Sequence, residues 1–420
     1  MLDLRLIRRE PDAVRRALAR RGPELAGRVD RVAELDALWR AATQAAEGLR
    51  AEQKAASDEL AAGRREGRDV DAQLARLKEL SSEVKALGEQ ARAAEAELQE
   101  VLRTLPNLPD PTAAEPEDEV LRVVGEATRL SGGRDHLELA GAQIDMERGA
   151  RLSGSRFAYL RGDLVMLELA LVQWTMRKLS GHGFEPVIPP VLVREQALFG
   201  TGYLPDTEQQ IYHLPADDLY LVGTSEVALA SLHAGEILAA DELPLRYAGF
   251  SPCFRREAGS AGKDTRGIFR VHQFDKVEMF SFVEPARSAE EHERLLAIEE
   301  EIMSELKIPY RVVNIAVDDL GASAAKKYDI EAWLPSQGEY RELTSTSNTT
   351  DFQARRLGVR VRGDKLKPEA AHTLNGTAVA VGRTIIALLE NGQREDGSVM
   401  LPAVLAPHGA PPELAAQGDE

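Results

Sequence analysis

One cysteine, Cys253, stands among 420 residues. A disulfide within the chain is therefore impossible, and a zinc site would need mainly histidine and carboxylate ligands, so no zinc is expected and the cytoplasm is the default compartment. No apolar run approaches the roughly 18 residues that a membrane-spanning helix needs. Met1 to Ala26 opens amphipathic and charged, unlike a secretory signal. Neither a Walker-type glycine-rich loop nor a Rossmann fingerprint is present, so any nucleotide would have to be held by other means. Positive charge is also short. A net charge of −17 argues against a general nucleic-acid binder until it is divided by region.

Heptad periodicity is abundant. Val32, Leu35, Trp39, Ala42, Ala46, Leu49, Gln53, Ala56 and Leu60 recur at alternating steps of three and four, as do Leu77, Leu80, Val84, Leu87, Ala91, Ala94, Leu98, Val101 and Leu105. Gly63 to Asp69 between them carries the glycines of a reversal. The spacing predicts an antiparallel helical hairpin over Val32 to Leu105, with helices of about 45 to 50 Å and a tip in solvent. Residues 1–105 hold 20 basic and 20 acidic side chains, and from residue 106 onward there are 32 against 49, so the imbalance lies in the C-terminal part. Arg64, Arg65 and Arg68 gather at the tip, with Arg50 and Lys54 nearby. They would serve as local phosphate contacts or, more plainly, as a solvated turn.

Domain limits follow at 1–105 and 106–420, joined over 106–118 by a stiff connector rich in proline and acid. Beyond it, Asp163 is the expected N-cap of a helix over Leu164 to Leu179, with Leu164, Leu167, Leu171, Trp174 and Lys178 on one side. Lys276 to Val283, Arg311 to Ala316, Asp329 to Leu334 and Tyr340 to Ser345 alternate as strands. Ser288 to Leu306 reads as a helix whose capping box Glu291 closes. Strands with few intervening helices predict an α+β fold around an antiparallel sheet. The tail Pro407 to Glu420 reads as disordered.

The segment Phe254 to Phe280, FRREAGSAGKDTRGIFRVHQFDKVEMF, predicts a hairpin with charge inside. Glu278 shares a strand face with Phe280 and Phe282, where an unpaired carboxylate would cost several kcal/mol; it needs a ligand hydroxyl or amine, or else an internal arginine. Arg255, Glu257, Arg270, Glu278, Glu342 and Arg383 are all expected on strands or helix starts of one sheet. Guanidinium forks on a sheet clamp phosphates and stack on bases. Glu342 and Ser345 offer hard oxygens suited to Mg²⁺ carrying a triphosphate.

Together these residues resemble the bacterial serine–tRNA ligases, class II aminoacyl-tRNA synthetases, over nearly all of the chain. Gly183 to Pro190 ahead of Val191-Leu192, the Phe254 to Phe280 hairpin, and Gly376 to Asn391 resemble the three class motifs. Thr224-Ser225-Glu226, EAGSAGKDTRG, VHQFDKVE, YRELTSTSNTTDFQARR and the N-terminal hairpin resemble the serine branch. The resemblance implies a class II antiparallel β-sheet core flanked by helices, with an N-terminal coiled-coil arm. It also implies that Thr224 and Glu226 hold the serine ammonium with Ser225 in the same serine site, that Arg255 pairs with its carboxylate, and that Glu278 accepts its hydroxyl with Asn375 and Thr377 closing the pocket.

For ATP, the resemblance implies Arg255, Arg256, Glu257, Arg270, Val271 and Phe274, the segment Glu342, Leu343, Thr344 and Ser345, and Arg383. Glu342 and Ser345 would hold Mg²⁺. The implied chemistry is seryl adenylate formation followed by transfer to tRNA, with positioning and charge stabilisation in place of a general base. Further implications are a homodimer with Pro190 in its interface and an arm that reads the long variable arm of serine tRNA across the dimer. Charging of selenocysteine tRNA where present is implied as well. Arg256 stands where the family usually has serine, and Thr344 to Thr350 departs from its usual serine and cysteine letters. A relative that loads a carrier protein would lack this arm. A non-catalytic coiled-coil module would be expected to lose Arg255, Glu278 or Arg383, and all three are present.

Overall fold

The computed structural model of the protein describes residues 1–128, 133–205, 210–258, 264, 266–363 and 367–416. They form two compact units that divide between Leu105 and Pro106.

The first unit is helical: α1 (Leu4–Arg9), α2 (Pro11–Ala19), α3 (Pro23–Arg65) and α4 (Asp71–Thr104). α3 and α4 run antiparallel, with Arg31 reaching Glu97 near one end and Arg76 reaching Glu52 near the other. The heptad positions are their buried or half-buried residues, and Val32, Leu35, Leu80 and Leu98 are each no more than 1% exposed. α3 is longer than the periodicity predicts. It starts at Pro23, whose fixed φ suits a first helical turn, and continues through Gly63, so 43 residues extend about 65 Å. Asp36 is buried between Arg8 and Arg40. Burial alone would raise its carboxyl, but hydrogen bonds from Arg8 and Arg40 hold it below the usual range.

The second unit is built on eight strands: β1 (Glu119–Val124), β2 (Glu185–Val187), β3 (Leu245–Phe254), β4 (Gln273–Val283), β5 (Tyr310–Asn314), β6 (Lys326–Leu334), β7 (Glu339–Thr350) and β8 (His372–Ala380). Their order is β1-β5-β6-β7-β8-β4-β3-β2. Every pairing is antiparallel except the last, in which Glu185–Val187 lies parallel to Tyr247–Gly249. Apart from that short edge strand, the sheet is antiparallel as expected.

The helices are α5 (His136–Ala140), α6 (Met146–Ser153), α7 (Asp163–Gly181), α8 (Glu195–Thr201), α9 (Glu226–Ala230), α10 (Ser288–Glu305), α11 (Phe352–Leu357) and α12 (Val381–Gly392). α7, α10 and α12 supply Leu167, Leu171, Leu295, Ile302, Ile385 and Leu389 to the main core, which also takes Val277 and Met279 of β4. Alternate residues of the same strand, Phe280 and Phe282, belong to a second cluster with Leu229 of α9 and Leu357 of α11. The pairing of β4 with β8 shifts register between Val277 and Glu278, a bulge.

Several local expectations change. Asp163 is the first residue of α7, not its cap; the Leu164 N–H donates instead to Gln143 Oε1. α10 has no capping box: Glu291 is buried and accepts from Arg246 and Ser281. The connector is packed into the body, where Asn107 donates to the carbonyls of Ser323 and Thr349 and to Thr350 Oγ1. The tail is ordered to residue 416, with Glu413–Leu414 paired to Val399–Met400 and Leu414 buried; residues 417–420 lie outside the described ones.

Candidate active site

The polar pocket starts from β4 and β8. Glu278 pairs in register with Thr377, and Phe280 with Asn375, so one carboxylate, one amide and one hydroxyl share a small part of the sheet. All three are buried, as are Thr224, Ser225 and Glu226 at the start of α9. Glu278 is not unpaired. Lys276 Nζ forms an ion pair with its Oε2 and donates to Thr224 Oγ1 at 2.6 Å. The Thr224 hydroxyl lies 3.5 Å from the same Glu278 oxygen.

Glu226 is held in another way. Its Oε1 accepts from Gln353 Nε2 at 2.8 Å and Asn375 Nδ2 at 3.0 Å, and its Oε2 from the Tyr203 hydroxyl at 3.0 Å. Burial and the neighbouring Glu278 raise its carboxyl, against these donors and Lys276. Ser225 Oγ is buried without a hydrogen-bond partner. The pocket thus holds two carboxylates and one lysine, and it retains acceptor capacity for a cationic, hydroxyl-bearing ligand.

Lys276, Tyr203 and Gln353 were not expected. Lys276 follows the strand alternation of Phe274 and Glu278, which is the signal that was available for it. Gln353 and Tyr203 lie far away in sequence, and only the tertiary fold brings them to Glu226.

The adjoining half is arginine-rich. Arg255, Glu257 and Arg270 fall just outside β3 and β4, in the connecting loop, which corrects their expected placement on strands. Residues 259–263 and 265 of the EAGSAGKDTRG loop lie outside the described ones. Arg255 Nε donates to the Gly223 carbonyl at 3.1 Å, and its guanidinium lies 5.2 Å from the Phe274 ring centre. Arg270 pairs with Glu257 at 3.3 Å, and Glu257 adopts φ 51°. Arg256 is exposed and is linked through its backbone N–H to the Gln210 carbonyl.

Arg383, in the first turn of α12, donates to the Glu342 carbonyl at 2.9 Å and lies 3.6 Å from its carboxylate. Its guanidinium also lies 4.6 Å from the ring centre of Phe269, which Arg341 covers at 4.2 Å. Phe269 is therefore a further residue of this half. Desolvation would raise the Glu342 carboxyl, but Arg383, Lys327 and Arg255 hold it below the usual range. Val271 and Phe274, with Ile268, Val381 and Gly382, border a cavity of about 260 Å³.

Leu343 and Thr344 engage the helix-covered side. Leu343 is in the main core, and Thr344 Oγ1 donates to Glu299 Oε2 of α10 at 2.9 Å. Burial pushes the Glu299 carboxyl well above the usual range. It sits under Gly376, where a Cβ would come within 2.9 Å of Glu299 Oε1; this close approach requires glycine. Ser345 is half-buried and pairs in register with Asp329, a buried acid pushed to about 7 chiefly by desolvation. Glu342, kept ionised, and Ser345 supply oxygen donors of the hard type that Mg²⁺ takes when phosphates fill its other positions. Among the described residues no cluster of three or more His, Cys, Asp or Glu could hold a metal ion by itself.

In the helical unit, Arg50, Lys54, Arg64, Arg65 and Arg68 are all exposed. Arg65 Nε donates to the Ala61 carbonyl, and Arg68 pairs with Glu66 at 2.7 Å.

Comparison with known proteins gives this arrangement its family. Residues 212–392 match the tRNA synthetase class II core domain (G, H, P, S and T), and residues 1–109 match the seryl-tRNA synthetase N-terminal domain. A serine–tRNA ligase of Thermobifida fusca is 52% identical over 414 residues, covering 97% of each chain. One of Nocardia farcinica is 53% identical over 413 residues with the same coverage. The crystal structure of seryl-tRNA synthetase from Pyrococcus horikoshii complexed with ATP superposes with a TM-score of 0.95 at 42% identity, covering both chains in full. With a charged sheet pocket, a class II core and relatives of this identity along its whole length, the chain belongs to the serine–tRNA ligases, class II aminoacyl-tRNA synthetases.

Proposed function

We propose that the protein activates L-serine with ATP as seryl adenylate and transfers the seryl group to serine tRNA. The observation that carries this reading is the join between the two halves of the site. A buried pocket with Glu226, Glu278, Asn375 and Thr377 meets Arg255, which is close to Phe274 and the loop bearing Glu257 and Arg270.

In the first step a serine carboxylate oxygen bonds to the α-phosphorus of ATP while the bond to the β-phosphate bridging oxygen breaks, and pyrophosphate leaves. Arg255 aligns the carboxylate. Glu278 and Thr377 receive the hydroxyl, and Glu226 and Thr224 the ammonium, which displaces part of the contact that Lys276 makes. Phe274 and Arg383 hold the adenine between them, and Val271 lies at its edge. Mg²⁺ at Glu342 and Ser345 would neutralise phosphate charge. In the second step a terminal ribose hydroxyl of the tRNA attacks the seryl carbonyl carbon and AMP leaves. Preorganised charge and alignment account for both steps without a protein general base.

Specificity follows from polar saturation: alanine leaves the hydroxyl partners unpaired, a penalty that reaches about 10⁴ in comparable sites. Residues 1–105 act as the tRNA-binding domain, with Arg50, Lys54, Arg64, Arg65 and Arg68 as phosphate contacts. The arm reads the long variable arm of the tRNA, across a homodimer. Support for the dimer comes from exposed apolar side chains Met166, Leu169, Ile188 and Leu192, beside an exposed Pro190. Selenocysteine tRNA is a further substrate where it exists, and the cytoplasm is the compartment. Among the described residues no helix is long and apolar enough to cross a membrane.

The test is serine-dependent exchange of pyrophosphate into ATP, then charging of purified tRNA. Exchange with serine and none with alanine or threonine is expected. A folded protein without serine-dependent exchange would refute the proposal, and exchange without tRNA charging would refute its second step.

A further inference from the structure

We infer that His136 and Glu390 form a positioning relay that fixes the returning limb of the β3–β4 loop for ATP; this rests on the function proposed above. His136 opens α5 and is 4% exposed, while Glu390 lies on α12 and is fully buried. The Ile268 N–H donates to His136 Nε2 at 3.3 Å. Accepting at Nε2 leaves the Nδ1 side to face Glu390 Oε1 at 3.5 Å, a close approach rather than a hydrogen bond, and neither of these two buried atoms has another hydrogen-bond partner. The other Glu390 oxygen accepts from the Ser336 N–H in the β6–β7 turn at 3.1 Å. A carboxylate that orients an imidazole, which in turn holds one backbone amide, is how supporting groups commonly fix a site.

The amide held is placed to matter. Ile268 precedes Phe269 and Arg270, and the Phe269 carbonyl accepts from Arg383 Nε at 3.4 Å while its ring lies beside the Arg383 guanidinium. Glu390 and Arg383 are two turns apart on α12, so one helix grips the limb twice: through His136 at Ile268, and directly at Phe269. Gly267 makes the approach possible. It has φ 74°, and a Cβ there would stand 1.9 Å from His136 Nε2. Arg266 adds an outer tie, its Nε 2.7 Å from Asp135 Oδ2, and Asp135 also caps α5 in a capping box. None of these groups touches the proposed serine pocket, so the relay acts on the nucleotide half alone.

The full-length protein with His136→Asn and with His136→Gln separates this role from simple core packing. Glutamine can place its carbonyl near the Nε2 position and keep the Ile268 acceptor; asparagine ends one bond short and keeps only the side facing Glu390. Serine-dependent exchange, normalised to active sites by the adenylate burst, is the readout. His136→Asn is expected to raise the ATP KM about 10-fold with the serine KM within about twofold, and His136→Gln to stay within about threefold of wild type. An unchanged ATP KM in His136→Asn, serine and ATP KM rising together, or glutamine faring no better than asparagine overturns the relay. If His136→Asn is insoluble, Arg266→Ala takes its place, since it removes an exposed tie of the same limb. An ATP KM raised about threefold at constant serine KM supports the relay, and no change overturns it. A wild-type protein without exchange would instead overturn the proposed function.

Discussion

Glu278 is 2% exposed in the middle of a strand, and the cation that makes this tolerable is Lys276, two residues earlier. Sequence alternation gave the carboxylate its buried face, but it left open whether a ligand or an internal cation would meet it; the partner found is a lysine where an arginine was weighed. The reason is geometric. Residues two apart on a strand share a face, which puts Lys276 beside Glu278 on β4. Breaking such a pair leaves a buried charge, at a cost of about 3–5 kcal/mol. Lys276→Met is therefore expected to raise the serine KM more than the ATP KM and to lower the melting temperature.

Glu278→Ala removes the proposed hydroxyl acceptor and should raise the serine KM by on the order of 10- to 100-fold with ATP little changed, as for a charged hydrogen bond of about 1.5–3 kcal/mol. Exchange kinetics at varied serine decide both, and an unaltered serine KM in Glu278→Ala would remove it from the hydroxyl site. Arg383→Ala should depress exchange by on the order of 100-fold through weaker ATP binding. Normal exchange in that variant would count against its nucleotide contact.

At the scale of elements, legibility followed periodicity. The heptad helices could be read because each seam position has its own spacing signature, and Lys276 to Val283 because its two faces differ. His372–Ala380 carried no comparable signal: nearly every residue of β8 is buried, since helices cover one side and the pocket and its loops the other. The parallel edge strand Glu185–Val187 is too short to show any period. The caps misread at Asp163 and Glu291 have one cause, in that Gln143 and Arg246 supply partners from elsewhere in the chain.

One packing between elements has a measurable pH dependence. Glu168 of α7, against β4, is pushed to about 8, first by burial and then by a hydrogen bond with Asp275. Its folded value is raised above that of the unfolded chain, so its contribution to stability is complete at low pH and is lost as pH rises toward about 8. Glu168→Gln should therefore flatten the fall in melting temperature across that interval, gaining about 2 °C or more at the alkaline end and little at acid pH. Parallel curves for the two proteins would show that the carboxyl is ionised in the folded state.

The whole molecule divides its chemistry along with its charge. The helical unit is electrically balanced, while the sheet-bearing unit carries the entire excess of 17 negative charges. A phosphate polymer is therefore repelled by the net charge of the sheet-bearing unit and not by that of the helical one. That partition predicts separable functions. Replacing residues 32–104 by a short turn removes the seam of α3 and α4 but leaves untouched Thr224, Arg255, Lys276, Glu278 and Arg383, all in the other unit. Exchange should stay within about threefold of wild type, while charging of serine tRNA should fall below detection. The hairpin residues Arg64, Arg65 and Arg68 give the milder form of the same experiment, because exposed side chains can be changed to alanine without touching the seam. Each lost phosphate contact should weaken tRNA binding and reduce its salt slope by about 1. Charging that survives deletion of the arm would mean that the sheet-bearing unit selects its tRNA by itself.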